Sequence, residues 1–256
     1  MFKLMKELFL AMIVIFFSTS AYADITTGLI GWWKFDENAS GTCSGASLLD
    51  SSGNGNNATC NGSPAWAAGH IGLGALNINN GNATYAATGS SAVYNIASTV
   101  SITAWVYLLS VAPSYQVVMS TANYAYQMSI NTNKLRFYSN NTTPGANPGL
   151  TSIATSTWTF LAITWNGSTV TQYINGVVDD SWTYTGSIST GGSTYVVMGN
   201  NWSESGDPID GEMDDLRIYN RALSGSDVTA LYNYGLTTHK NMFFNNALLH
   251  NLVVKQ

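Results

Sequence analysis

Residues 158–184 read WTFLAITWNGSTVTQYINGVVDDSWTY, three runs rich in apolar and β-branched residues parted by Asn166-Gly167 and Asn175-Gly176. Asn-Gly is the pair best suited to a two-residue hairpin turn, because both central positions need a positive φ. Two such turns at this spacing predict a three-stranded antiparallel meander over Trp158–Trp165, Thr169–Ile174 and Val177–Tyr184. The first of these runs is apolar on both faces. So is Val100–Tyr107, where Val100, Ile102, Ala104 and Val106 alternate with Thr103, Trp105 and Tyr107. Strands of that kind belong in the middle of a layered structure, covered on two sides.

Outward from the meander the same signals recur. Asn80-Gly81 lies between Ile71–Ile78 and Asn82–Ala86 and predicts a further hairpin. One helix is indicated near the end of the chain. Ser224 and Asp227 form a capping box, Leu223 and Val228 a hydrophobic staple, and Gly235 is expected to stop the helix. Many short strands, Gly-rich turns and a single helix predict an all-β fold of two packed antiparallel sheets.

Composition narrows the function. Of 256 residues only 9% are charged, with 9 Lys and Arg against 14 Asp and Glu. The basic residues are scattered, so the chain lacks the Lys and Arg cluster that nucleic-acid binding requires. Aromatics are plentiful, with 14 Tyr and 8 Trp. The first residues have the order of a secretory signal: Lys3 and Lys6, the apolar run Leu8–Phe17, then Ala21-Tyr22-Ala23 as a small-x-small cleavage site. Residues 1–23 are therefore expected to be removed, residues 24–235 to form the domain, and residues 236–256 to be a tail of unknown role. The apolar run is shorter than the ~20 residues of a membrane span, so no span is expected after cleavage. The protein is expected to be secreted, whether periplasmic, extracellular or at the cell surface. Cys43 and Cys60 are expected to pair in that setting.

Five segments in order resemble a known family. Gly28–Glu37 (GLIGWWKFDE) is similar to the first strand of laminin-G-like, concanavalin A-like jelly-roll domains, and Asp50–Asn56 (DSSGNGN) to a turn that follows it. Val100–Tyr107, Trp158–Gly176 and Gly211–Tyr232 resemble the central strand, the hairpins and the closing strand and helix. The resemblance implies a two-sheet antiparallel jelly roll with one short C-terminal helix, exported, often carbohydrate-related and often calcium-binding. The same sandwich serves lectins, adhesins and glycosidases, so the resemblance alone does not fix the function.

Three groups of residues carry candidate chemistry. In Asp50–Asn56 the oxygen-bearing side chains Asp50, Ser52, Asn54 and Asn56 alternate, with Gly55 at the sharp turn, as at the start of an EF-hand loop. A Ca2+ site of Asp50, Asn54 and Asn56 is expected to be closed by Glu37 or Asp214. Strand alternation puts Glu37 on one face with Trp33 and Phe35, and Asp214 on one face with Leu216 and Ile218. An ordinary Asn-Gly turn is the competing reading. Glu212-Met213-Asp214 resembles the start of the Glu-x-Asp-x-x-Glu strand of concanavalin-like glucanases, which work with a carboxylate pair about 5 Å apart. Leu216 stands where the same-face partner is needed, so catalysis is not expected; a glycoside hydrolase or lyase is the rival function. Third, Trp202 and Asp207 lie in a loop of Asn, Ser, Gly and Asp, and Tyr124 and Tyr126 in a segment with little alternation. Tyr124, Trp202 and Asp207 are the expected ligand-binding residues, the rings to stack on a sugar and the carboxylate to hold its hydroxyls. The expected function is non-catalytic binding of a glycan or cell-envelope surface. A structural or adhesive envelope protein is a third possibility.

Overall fold

The computed structural model describes residues 25–79, 84–139, 147–188, 194–204 and 206–238. The signal-like segment, the Asn80-Gly81 pair and His239 and His250 lie outside the described residues. In chain order the strands are β1 (Leu29–Trp33), β2 (Gly41–Thr42), β3 (Ser47–Leu48), β4 (Ala58–Asn61), β5 (Ala65–Ala68), β6 (Gly74–Asn79), β7 (Tyr85–Thr88), β8 (Val100–Leu108) and β9 (Tyr115–Thr121). There follow β10 (Gln127–Asn131), β11 (Lys134–Tyr138), β12 (Pro148–Ser152), β13 (Trp158–Trp165), β14 (Thr169–Ile174), β15 (Val177–Thr183), β16 (Val196–Met198) and β17 (Asp210–Tyr219). A helix, α1, occupies 225–238. It is not long and apolar enough to cross a membrane, nor is any other described helix.

Two antiparallel sheets face each other. One runs β15–β14–β13–β8–β17–β6–β5–β2, with β1 also paired to β17; the other runs β12–β11–β10–β9–β16–β7–β4–β3. The meander forms as expected: β13 pairs with β14 and β14 with β15. Asn175 and Gly176 have φ of 51° and 79°, as the two-residue turn requires. The Asn166 turn is longer. Its side-chain Oδ1 accepts the Ser168 and Thr169 backbone N–H groups at 3.0 and 2.9 Å, an Asx cap rather than a two-residue turn.

β8 is central, between β13 and β17. Its Val100, Ile102, Ala104, Val106 and Leu108 enter the core between the sheets. Its other face carries Trp105 into a second apolar cluster with Phe160, Tyr173, Tyr219, Leu223, Val228 and Leu231, beneath α1. Burial on both faces is why its sequence is apolar at nearly every position. The capping box forms: Ser224 Oγ accepts the Asp227 N–H at 3.2 Å, and Asp227 Oδ2 the Ser224 N–H at 2.9 Å.

Three expectations need correction. α1 passes through Gly235 instead of stopping there, and a Cβ at Gly235 would stand 2.5 Å from Trp105 Nε1. The glycine serves close approach of the helix to the sheet, not termination. Secondly, β6 and β7 do not form a hairpin. β6 pairs with β5 and β17 in one sheet, while β7 pairs with β4 and β16 in the other. Thirdly, β17 carries a bulge between Asp214 and Arg217, with Asp215 at φ 51°. The extra residue inverts the alternation. Met213, Leu216 and Ile218 enter the core between the sheets, whereas Asp214 lies across from Trp105 on the outer face. Asp214 therefore does not share a face with Leu216 and Ile218.

Candidate functional site

The outer face of the eight-stranded sheet collects half-buried aromatics over fully buried polar groups. β11 alternates cleanly: Leu135 and Phe137 are buried in the core, while Lys134, Arg136 and Tyr138 point out. β10 pairs with it so that Gln127 lies across from Tyr138 and Ser129 across from Arg136. The Arg136 guanidinium sits over both the Tyr115 and Tyr138 rings, 5.3 and 5.1 Å from their centroids.

Two connections rise over this face. The turn Ala122–Tyr124 between β9 and β10 holds Asn123 and Tyr124 at positive φ of 56° and 55°, which turns the Tyr124 ring toward the sheet's outer residues. Tyr124 meets Tyr138 edge-on at 5.7 Å and Trp202 edge-on at 5.6 Å. The second connection, residues 199–209, has both feet on β9: Gly199 N–H donates to Val118 O at 2.8 Å, and Val117 N–H to Asp207 O at 2.9 Å. Between those feet the chain leaves the sheet and carries Trp202. Hydroxyls hold it in place. Tyr195 donates to Trp202 O at 3.1 Å, and Tyr85 to Glu204 Oε2 at 2.6 Å. Burial and the Glu204 charge push the Tyr85 hydroxyl up to about 12, so it stays a donor. Asn201 links the loop internally, accepting from Ser203 Oγ at 2.7 Å and donating to Asp207 Oδ2 at 3.2 Å.

The three expected ligand residues thus come together. Burial raises the Tyr124 hydroxyl, and the Asp207 charge is close enough to raise it further. Tyr126 does not join them. It is fully buried and donates to Tyr94 O at 3.2 Å, a core residue in spite of its polar neighbours in sequence. Arg136, Tyr115, Tyr138 and Gln127 were missed by the sequence reading. The Lys-Leu-Arg-Phe-Tyr alternation of β11 was the signal for two of them. Gln127 is fully buried; its Oε1 accepts the Tyr115 hydroxyl at 2.6 Å and its Nε2 has no acceptor.

The residues expected to hold calcium are arranged otherwise. Asp50 Oδ1 accepts the N–H groups of Trp32 and Ser52 at 3.0 and 2.8 Å; Oδ2 accepts Ser52 Oγ and the Asn56 N–H at 2.8 and 2.9 Å. Asn54 and Asn56 use their amide nitrogens on the carbonyls of Leu29 and Ile30, at 3.0 and 2.8 Å. Ser51 N–H adds a bond to Trp32 O at 2.7 Å. The turn therefore covers the free edge of β1, whose other edge pairs with β17. Glu37 is exposed beyond the end of β1 and accepts the Leu49 N–H at 2.7 Å, so it does not share an apolar face with Trp33 and Phe35. Asp214 Oδ2 accepts the Ile71 N–H at 2.8 Å on the outer face, across from Trp105. Among the described residues no three His, Cys, Asp or Glu side chains gather as a metal site. A saturated Asp50, with two amides turned nitrogen-first toward β1, does not fit Ca2+, which needs six to eight free oxygens.

A laminin-G-type family model, described as the concanavalin A-like lectin/glucanases superfamily, matches residues 80–229. The chain belongs to this superfamily. The match spans the aromatic face from β7 to the Trp202 loop and the closing strand. Among curated proteins none matches the sequence. Solved structures with the same fold include domain 4 of AbnA, a GH43 extracellular arabinanase from Geobacillus stearothermophilus, in complex with arabinotriose. It shares 27% identity at a TM-score of 0.63, over 80% of this chain and 98% of that one. The binding domain of Paraclostridial Mosquitocidal Protein 1 shares 18% identity at a TM-score of 0.63, over 82% of this chain and 53% of that one. The binding domain of botulinum neurotoxin DC, in complex with SialylT, shares 19% identity at 0.59, over 82% and 52%. The chain thus spans nearly the whole arabinanase domain and about half of each toxin domain. The disulfide Cys43–Cys60 joins the segment before β3 to β4, with both residues buried.

Proposed function

We propose that this protein is an exported, non-catalytic carbohydrate-binding module that holds a saccharide on the outer face of its eight-stranded sheet. One observation carries the reading: Tyr138, Tyr124 and Trp202 form a continuous half-exposed aromatic line above the unpartnered amide of Gln127. A sugar ring offers an apolar face to such rings and hydroxyls to the groups beside them. Asp207 and the Arg136 guanidinium beside Tyr138 are the polar groups that would fix its orientation. The oligosaccharide complex of the arabinanase domain supports a sugar ligand, and the buried disulfide supports export.

The test is calorimetric titration with neutral oligosaccharides, arabinotriose among them, alongside a glycan array. Binding by the wild type and a loss of about tenfold or more on Trp202→Ala support the site, as expected for one lost ring contact. No binding of any glycan, or unchanged binding in that variant at unchanged stability, would overturn it.

A further inference from the structure

The opposite face of the molecule carries a second constellation. Asn77 on β6, Glu212 on β17, Tyr107 on β8 and Trp158 on β13 are cross-strand neighbours in one row across four strands. All four are half-exposed. Each stands on the outer face, because Leu76, Met213 and Val106 beside them enter the core between the sheets. The Tyr107 and Trp158 rings lie 5.6 Å apart, and His70 backs the row, 5.5 Å from Trp158 and 3.9 Å from Trp105.

Glu212 keeps acceptor capacity to spare on this half-exposed face. Glu212 Oε1 receives only the Asn77 amide, at 3.2 Å. Asn77 Oδ1 is buried with no donor. The one unpartnered donor close by, Trp105 Nε1, faces Gly235 of α1. The row is also anionic. The ion pairs of the described residues are Asp215–Arg217 and Asp227–Arg221, and neither involves Glu212. The described His, Cys, Asp and Glu side chains do not assemble as a metal site here.

We propose that the row Asn77–Glu212–Tyr107–Trp158 is a second ligand site, for a primary ammonium group such as that of an unacetylated amino sugar. An ammonium brings three donors and a full positive charge to a carboxylate that has the Asn77 amide and no ion pair among the described residues. Its charge pairs with Glu212 in a partly desolvated place, and the Trp158 and Tyr107 faces attract a cation held against them. The inference does not rest on the aromatic line of the other sheet; either site can fail without the other.

The experiment titrates the intact protein with a glucosamine oligosaccharide, its N-acetylated counterpart and lysine amide, at a pH where the amines are charged. Calorimetry and tryptophan fluorescence give the readout. The free-amine sugar is expected to bind at least about tenfold more tightly than the acetylated one, as loss of a charge-assisted contact predicts. Added salt should weaken it. Glu212→Gln, which keeps the side chain's shape, should remove that preference at an unfolding midpoint no lower than that of the wild type, and Trp158→Ala should weaken both the binding and the fluorescence response. Lysine amide binding as well as the amino sugar would support the ammonium site and assign it to amines in general; weaker binding by lysine amide would assign it to the sugar. Equal binding of free and acetylated sugars, no binding of any amine, or an unaltered preference in Glu212→Gln would overturn it.

Discussion

The Asp50 carboxylate takes the place of a neighbouring strand for Trp32, accepting its backbone N–H at 3.0 Å on the edge of β1 that β17 leaves free. Its other bonds hold Ser52 and Asn56, whose turn then supplies donors to the Leu29, Ile30 and Trp32 carbonyls. Asp50→Ala is expected to destabilise the fold by about 2–3 kcal/mol, because partly buried N–H groups lose their acceptor at once. Chemical unfolding measures this. Calcium should neither shift the wild-type midpoint nor chelator lower it; a calcium-dependent rise that Asp50→Ala abolishes would restore the metal reading.

The Cys43–Cys60 bond closes a loop of sequence separation 17 that contains this edge turn. A ring of that length contributes about 3 kcal/mol by restricting the unfolded chain. The double variant Cys43→Ser/Cys60→Ser should lose that much in equilibrium unfolding and still bind its glycan, because the aromatic line is built from other strands. Equal stability of the two proteins would contradict the loop-closure account.

Strand identity was legible where periodicity was strong. β8 and β13 are apolar on both faces because one face meets the opposite sheet and the other meets α1 and its cluster. Pairing across the two sheets was not legible at Asn80-Gly81, since turn chemistry is local and does not say which sheet the next strand joins. The face of Asp214 was misread because one bulge residue, Asp215, inverts the alternation after it. In the candidate site Trp202 and Asp207 stood out by loop composition, and Tyr124 by a segment with little alternation. Tyr138 and Arg136 were hidden in an ordinary amphipathic strand, and Tyr126 deceived because a buried hydroxyl with a carbonyl partner leaves no trace in the pattern.

Gly235 faces the Trp105 indole from within α1. In an open helix Gly→Ala would stabilise by about 0.8–1.0 kcal/mol. Here the added methyl meets Trp105, which is 1% exposed and cannot withdraw. Overpacking of this kind costs about 1–3 kcal/mol, so Gly235→Ala is expected to be net destabilising and to alter the tryptophan fluorescence. A gain in the urea midpoint would mean that the helix does not press on the indole.

Asp214 makes stability fall as pH rises. Burial, and then the charges of Asp215 and Asp36, push its carboxyl well above the ordinary value of 3.8, while N–H groups of Ile71 and His70 offset only part of this. The folded state therefore keeps a proton that the unfolded state has already lost, and its advantage declines from pH 3.8 upward until the folded group ionises. Glu212 is raised by burial and acts in the same direction. Asp227 acts oppositely: burial raises it, but bonds from Arg221 and Ser224 bring it below 3.8, so its contribution is lost only in stronger acid. Asp214→Asn keeps an acceptor for the Ile71 N–H and removes the ionisation, leaving the other two groups in place. Its midpoint relative to wild type should climb as the pH rises above 3.8, because only the wild type carries the carboxyl that ionises in the unfolded chain first. Thermal unfolding of both proteins across that range is the measurement. Parallel profiles would mean that Asp214 ionises at its ordinary pH in spite of its burial, which would require a cation beside it.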